Sequence, residues 1–267
     1  MSEDSQLDLP DILRRIVEQR RRRIAESGPP PAIDRGPANV QTAASNPFLG
    51  ALAAVRGRAV IAEVKMGSPR LGSLVGSFDP LAQARAYRSN GAAALSVVVE
   101  PDFFHGGYEL LSACREASGL PTLAKDFIVD PVQLVWARRA GARAVLLIAA
   151  LYTSEELRGY VQEARRLGLA PLVETHDLAD LIKLEHGIWE LIGINNRDLR
   201  TFEVELSTSM ALLPSLPSGA IKVAESGIAS GADIATLRSA GFDAFLIGEA
   251  LVTAEDPGML LRSLCEA

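Results

Sequence analysis

Ala59-Val60-Ile61-Ala62-Glu63-Val64-Lys65 is an aliphatic, β-branched run that ends on an acid and a base. It shows no apolar/polar alternation before its end, so it reads as a strand buried on both faces, as in a parallel sheet covered by helices. The pattern recurs. Similar short runs stand at 93–98, 121–124, 143–148, 170–173, 191–194, 221–224 and 243–247. Between and after them lie segments of helical period at 80–90, 108–117, 131–140, 154–167, 178–185, 207–213, 232–240 and 257–264, of which 207–213 has the weakest pattern. Gly91, Gly141, Gly168 and Gly241 stand just past the apolar faces of four of these segments, where a helix end favours a left-handed residue. Eight repeats in about 210 residues suit a closed (β/α)8 barrel better than an open doubly wound sheet. The expected fold is therefore α/β, a single (β/α)8 TIM barrel with an extra N-terminal helix.

That extra helix is read at 12–26, where Ile12, Leu13, Ile16, Val17 and Ile24 form an apolar stripe among arginines. Gly28-Pro29-Pro30-Pro31 stops it, and a Pro/Ala/Asn-rich connector follows. The division is then 1–46 for helix and connector and 47–267 for the barrel, with the helix placed to cover one barrel end. Its arginine run has two readings, a nucleic-acid arm or a solvated helix face. With no interleaved aromatics and a net charge of −6, the solvated face is preferred.

Composition removes other classes. The chain has 267 residues, 48% hydrophobic and 22% charged, within the globular range. Its acidic balance gives no reason to expect nucleic-acid binding. Cys114 and Cys265 are too few for a disulfide framework and suit a reducing compartment. Three histidines offer little for a His-rich metal site, so no metal is expected. The longest apolar stretch, 144–152, falls short of the roughly 20 residues of a membrane span, and residues 1–8 do not read as a signal peptide. A cytoplasmic location is expected.

In a barrel the site lies at the carboxyl ends of the strands. Seven of the eight runs end in polar groups: Glu63 and Lys65, Glu100, Lys125 and Asp126, Glu174, Asn195 to Arg197, Glu225 and Ser226, and Glu249 after Gly248. Any one is ordinarily a solvated rim residue. Lysines and glutamates converging from separate strands can instead pair and tune one another. The turns holding Ser226, Gly227, Gly248 and Glu249 follow the last two strands, where backbone N–H groups of barrels commonly hold a phosphate; the bland alternative is two tight turns. The segment 67–73 lacks the lysine of a nucleotide-binding loop, and Pro69 removes a donor. His176 reads as a helix-start or rim residue. Phe103, Phe104 and Phe127 follow strands two and three and suggest a flat apolar pocket.

With these residues in place, the sequence resembles the indole-3-glycerol phosphate synthase family of tryptophan biosynthesis. The resemblance runs from about Ile12 to Leu264 and rests on several motifs in one order. They are 61–65 followed by Ser68-Pro69, Phe103-Phe104-His105-Gly106-Gly107, Lys125-Asp126-Phe127-Ile128, Leu172-Val173-Glu174, 192–199 and 224–228. It implies closure of an indole ring on an anthranilate-derived sugar phosphate, with loss of CO2 and water and no cofactor. It further implies Lys125 as general acid, Glu174 as the second proton-transfer group, and Glu63 and Asn195 as orienting groups. Lys65 would pair with the substrate's carboxylate or assist proton transfer, Arg197 would hold a carboxylate or phosphate, and Phe104 and Phe127 would wall the ring. Ser68, Glu225, Ser226, Gly227, Gly248 and Glu249 complete the implied site, with the Glu249 side chain turned away from the phosphate. The partner implied is a small-molecule substrate, with other tryptophan-pathway enzymes as further candidates.

The chain departs from the family pattern at Met66, where a basic residue is usual, at Arg70, where serine is common, and at Val99, often threonine. Three rival readings are an anthranilate isomerase on the same fold, a lyase using Lys125 as a Schiff-base nucleophile, and a non-catalytic or altered-specificity phosphate-binding paralogue. The isomerase would want a cysteine at a strand end, and neither cysteine ends one of these runs.

Overall fold

A computed structural model describes residues 10–27 and 35–267. The proline stop at 28–31 and the reading of residues 1–8 lie outside them. Eight strands form the barrel: β1 (Ala59–Val64), β2 (Ala94–Val98), β3 (Thr122–Lys125), β4 (Ala144–Ile148), β5 (Ala170–Thr175), β6 (Leu191–Asn195), β7 (Ile221–Glu225) and β8 (Ala244–Ile247). The sheet closes in the order β1-β8-β7-β6-β5-β4-β3-β2, and every neighbouring pair is parallel. The expected barrel is the observed one.

Strand residues alternate between two cores because successive side chains point to opposite faces. Ala59, Ile61, Leu123, Leu146, Leu172 and Leu246 fill the barrel interior. Val60, Leu95, Val97, Val145, Val173 and Phe245 face the helices around it. Register then sets the level of the strand-end groups. Glu63 pairs with Ser96, Lys125 with Val98, Glu174 with both Ile148 and Gly193, and Asn195 with Glu225.

The two ends of the barrel are closed differently. Helix α1 (Asp11–Ser27) lies over the carboxyl-end mouth, as expected, burying Leu13, Ile16 and Val17. Helix α2 (Pro47–Ala54) plugs the opposite end with Phe48, Leu49 and Leu52. This plug stands where the sequence reading continues straight into the barrel. Its local cause is an Asn-Pro start: the Asn46 side chain accepts from the N–H groups of Phe48 and Leu49, and Pro47 needs no partner at the first helical turn. The Asn46 amide also donates to the carbonyls of Arg143 and Gly168, fixing the plug to the strand starts. Phe48 is fully buried, so truncation to alanine should cost about 3–5 kcal/mol.

The other helices are α3 (Pro80–Ser89), α4 (Tyr108–Ser118), α5 (Val132–Arg139), α6 (Ser154–Arg166), α7 (Leu178–Ile182), α8 (Ser207–Leu212), α9 (Gly231–Ala240), α10 (Glu249–Thr253) and α11 (Pro257–Glu266). The four glycines expected at helix ends all have positive φ. α10 is a short helix that opens at Glu249, directly after Gly248. Among the described residues no helix is long and apolar enough to cross a membrane.

Candidate active site

The carboxyl ends of the strands surround a cavity of about 460 Å³. Glu63, Lys65, Ser68, Phe104, Lys125, Phe127, Glu174, Asn195, Arg197, Ser226, Gly227, Gly248 and Glu249 all line it, so thirteen of the fourteen expected site residues meet there. The fourteenth, Glu225, does not stand on the wall. It is fully buried beneath the cavity and acts on Lys125 from below, at the inward-facing end of β7.

Lys125 ends β3 with its ammonium among carboxylates. Nζ lies 3.1 Å from Glu225 Oε2 and 3.4 Å from Glu174 Oε2. Burial, the largest influence on this lysine, favours loss of its charge, but Glu225, Glu174 and Glu63 together outweigh it and hold the ammonium well above the usual lysine range. The two acids beneath it divide in character. Burial pushes Glu225 up, Lys125 opposes this, and the charge of Glu174 adds to it. Burial would also raise Glu174, but Lys125 and then His176 keep it ionised, below the usual carboxylate range. Two acids around one ammonium thus hold one negative charge more firmly than two.

Glu63, the last residue but one of β1, also lines the cavity, 3.2 Å from Lys65 Nζ, and both residues are buried. Glycines make room for these carboxylates: a Cβ at Gly193 would collide with Glu225 Oε1, and one at Gly248 with Glu63 Oε1. Asn195 Oδ1 accepts from the Arg197 N–H at 3.0 Å, which turns the chain leaving β6 along the rim.

After β7, Ser226 and Gly227 have φ of 65° and 79°. A serine in the left-handed region is strained, a feature that concentrates at functional turns. Asn196 holds this turn, its amide donating to the carbonyls of Glu225 and Ser226 at 3.0 and 3.1 Å. Phe104 and Phe127 face one another with ring centroids 5.8 Å apart and form an aromatic wall, completed by Ile12, Leu13 and Ile16 of α1. Phe103 is not part of it and lies under the Arg15 guanidinium, 5.9 Å away.

Three expectations need correction. Glu100 does not reach the mouth: fully buried, it accepts from the N–H groups of Asp102, Phe103 and Phe104 and shapes the loop that presents Phe104. Glu249 does not turn away. Its carboxylate sits in the cavity lip between Arg70 and Arg197, 3.0 Å from Arg197 Nη2. His176 does stand at the start of α7, directly before its cap Asp177, but not on the rim, since only 10% of its side chain is exposed and it lies between Glu174 and Asp180.

The sequence reading also misses the part of Asp126 and Arg20. Arg20 of α1 donates through Nε to Asp126, whose neighbour is Lys125. An arginine on the buried stripe of an otherwise solvated helix was the available signal. Among the described residues no group of three or more His, Cys, Asp or Glu is arranged to share a metal ion.

Fold and cavity together define a (β/α)8-barrel enzyme that carries an ammonium among carboxylates at its mouth. Residues 13–264 match the family model described as indole-3-glycerol phosphate synthase. The chain belongs to the indole-3-glycerol phosphate synthase family. It is 45% identical over 266 residues to the indole-3-glycerol phosphate synthase of Azoarcus sp. (strain BH72), covering 96% of this chain and 99% of that one. It is 42% identical over 264 residues to that of Variovorax paradoxus (strain S110), with 96% and 99% covered. Among solved structures, 3-hexulose-6-phosphate synthase from Salmonella typhimurium aligns with a TM-score of 0.61 at 16% identity, over 78% of this chain and 97% of that one, a likeness of fold.

Proposed function

We propose that this chain closes the indole ring of 1-(2-carboxyphenylamino)-1-deoxyribulose 5-phosphate, releasing CO2 and water to give indole-3-glycerol phosphate. The observation that carries the reading is the place of Lys125, a charged and half-buried acid in the cavity lined by the Phe104/Phe127 wall and the strained Ser226–Gly227 turn. A flat anthranilate ring fits the first and a phosphate the second.

Ring closure needs a proton on the ketone oxygen as the aryl carbon attacks it. Lys125 supplies that proton, which the surrounding carboxylates keep in place until it is needed. Loss of CO2 restores the aromatic ring. Dehydration then removes a hydroxyl and a proton from the ring nitrogen side. Glu174, kept ionised, exchanges these protons, while Glu63 and Asn195 orient the reacting groups. Lys65 and Arg197 meet the anthranilate carboxylate. Backbone N–H groups of Ser226, Gly227, Gly248 and Glu249, with Ser68 across the mouth, hold the phosphate end. Glu225 acts through Lys125 and not by touching substrate.

Two rivals lose support from the geometry. A Schiff-base lysine must be a free amine, and the charges around Lys125 favour the ammonium. Cys114 is buried against Pro80 and Cys265 lies on α11, so neither offers the thiol of an isomerase at the mouth.

We assign 47–267 to the catalytic barrel and 1–46 to the N-terminal helix and connector, of which helix α1 covers the mouth. We place the chain in the cytoplasm, a reading supported by its two free thiols, and keep other tryptophan-pathway enzymes as candidate partners. The test of function is the appearance of indole absorbance or fluorescence on adding the carboxyphenylamino deoxyribulose phosphate. Binding without product would assign the chain to the non-catalytic paralogues instead.

A further inference from the structure

Glu174 is held by cations on both sides. Oε2 meets Lys125 Nζ at 3.4 Å, and Oε1 meets His176 Nε2 at 3.4 Å. The other imidazole nitrogen, Nδ1, lies 3.5 Å from Asp180 Oδ2. An imidazole with a carboxylate oxygen at each nitrogen has no use for a lone pair on either. Only the doubly protonated ring turns an N–H toward each carboxylate and forms an ion pair with both.

The surroundings keep that charge. Asp180 also meets Lys183 Nζ at 3.1 Å, and Lys183 donates in turn to the Ala149 carbonyl at 2.8 Å. Asp180 accepts from the His176 N–H and so fixes the start of α7. The remaining charged groups around the ring are Asp177 at the start of α7 and Arg197, Asp198 and Arg200 after β6, which line a second cavity of about 380 Å³ with it. Lys125 and Glu225 act on it through Glu174. Burial would strip the imidazole of its proton, but the adjacent carboxylates of Asp180 and Glu174 outweigh burial and raise it to about 10.

We propose that His176 is a positioning residue for Glu174, a second cation that keeps this carboxylate ionised and aimed into the cavity while Lys125 is without its proton. The proposal rests on the reading of Lys125 as the acid. When Lys125 protonates the ketone oxygen, an N–H bond breaks, an O–H bond forms, and Nζ becomes a neutral amine. The Glu174/Glu225 pair then loses the charge it shares. Without a further cation the pair would draw in a proton and Glu174 would no longer serve as a base. His176 takes no part in the bond changes, so its charge persists through the step.

The test uses the full chain and two variants, His176→Gln and Asp180→Asn. His176→Gln should lower kcat about tenfold while KM stays within about twofold. The limb of the kcat–pH profile set by the carboxylate pair should move up by about one pH unit, because removing a neighbouring cation raises the affinity of the pair for protons. Asp180→Asn removes the anion that holds the imidazolium and should move the limb the same way, and it carries the test alone if His176→Gln does not fold. A limb that stays in place in the folded variants overturns the proposal, even with a lower kcat, since that is what a packing role would give. If the wild-type chain makes no indole at all, the proposed function fails, and nitrogen NMR of ¹⁵N-histidine-labelled protein decides the inference separately. The chain has three histidines, and comparison with the variant assigns the signal of His176. An imidazolium signal persisting at about pH 8 supports the proposal, and a neutral ring there overturns it.

Discussion

Arg20, three turns into the helix that precedes the barrel, reaches over the mouth to Asp126, with Nε 3.0 Å from Oδ1. Asp126 is almost fully buried and also accepts from the Tyr108 hydroxyl, the Gln133 amide and the Phe127 N–H. Removing one partner of a buried pair leaves the other charge without compensation, at a cost of about 3–5 kcal/mol. Arg20→Ala should therefore lose about 3 kcal/mol or more in urea unfolding, with a raised KM as α1 loosens over the cavity. A loss under about 1 kcal/mol would mean that the pair does not hold the helix.

At the centre of the site, Lys125→Met should lower turnover by about two orders of magnitude or more and leave the fold near intact. Glu174 and Glu225 both touch this lysine, yet their opposed proton affinities give them different roles. Glu174→Gln removes a working carboxylate and should match the lysine variant. Glu225, pushed toward its neutral form, is closer to a glutamine already, so Glu225→Gln should cost less than about tenfold near neutral pH. Equal losses in the two glutamine variants, read from initial rates of indole formation, would remove that distinction.

Much of this arrangement is legible in the chain itself. Strands β1 to β8 are aliphatic runs bounded by turns, and Glu63, Lys125, Glu174 and Asn195 are legible because each stands where an apolar run stops. What escapes is set by partners distant in sequence. The direction of Glu249 depends on Arg70, 179 positions away, and nothing around Glu249 encodes it. His176 looks like a helix start because Asp177 does cap α7, and its contact with Glu174 appears only when β5 and α7 are both in place. α2 has no polar stripe because it is a plug inside the barrel end, so the amphipathic pattern that betrays surface helices is absent.

The charge on His176 also makes a stability prediction. Its pKa rises from 6.5 in the unfolded chain to about 10 in the fold, so the folded state holds the proton more tightly. The stabilisation is fully present below pH 6.5 and is lost as the pH climbs through about 10. Across that window the wild-type protein should lose stability with a slope approaching about 1.4 kcal/mol per pH unit from this group. His176→Asn should lack this component. Parallel stability–pH curves for the two proteins, measured by urea unfolding between these limits, would contradict it.

Arg70 stands where the family commonly has serine, and with Arg197 it grips Glu249 at the lip of the cavity. The Arg70 and Glu249 side chains are 49% and 35% exposed, so the clasp contributes little to folding, about 1 kcal/mol or less. Its consequence lies in binding. The Glu249 carboxylate pairs with two guanidinia that an incoming phosphate or carboxylate would also use, so the substrate must compete with it. Arg70→Ser removes one cation from the lip and should raise KM about threefold to tenfold with kcat nearly unchanged. Glu249→Gln releases both arginines and should lower KM by a similar factor. The wild-type KM should also rise with salt more steeply than that of Arg70→Ser, since screening acts on the exposed cation that the variant lacks. Should both variants move KM in the same direction, the competition between Glu249 and the substrate anion would be refuted.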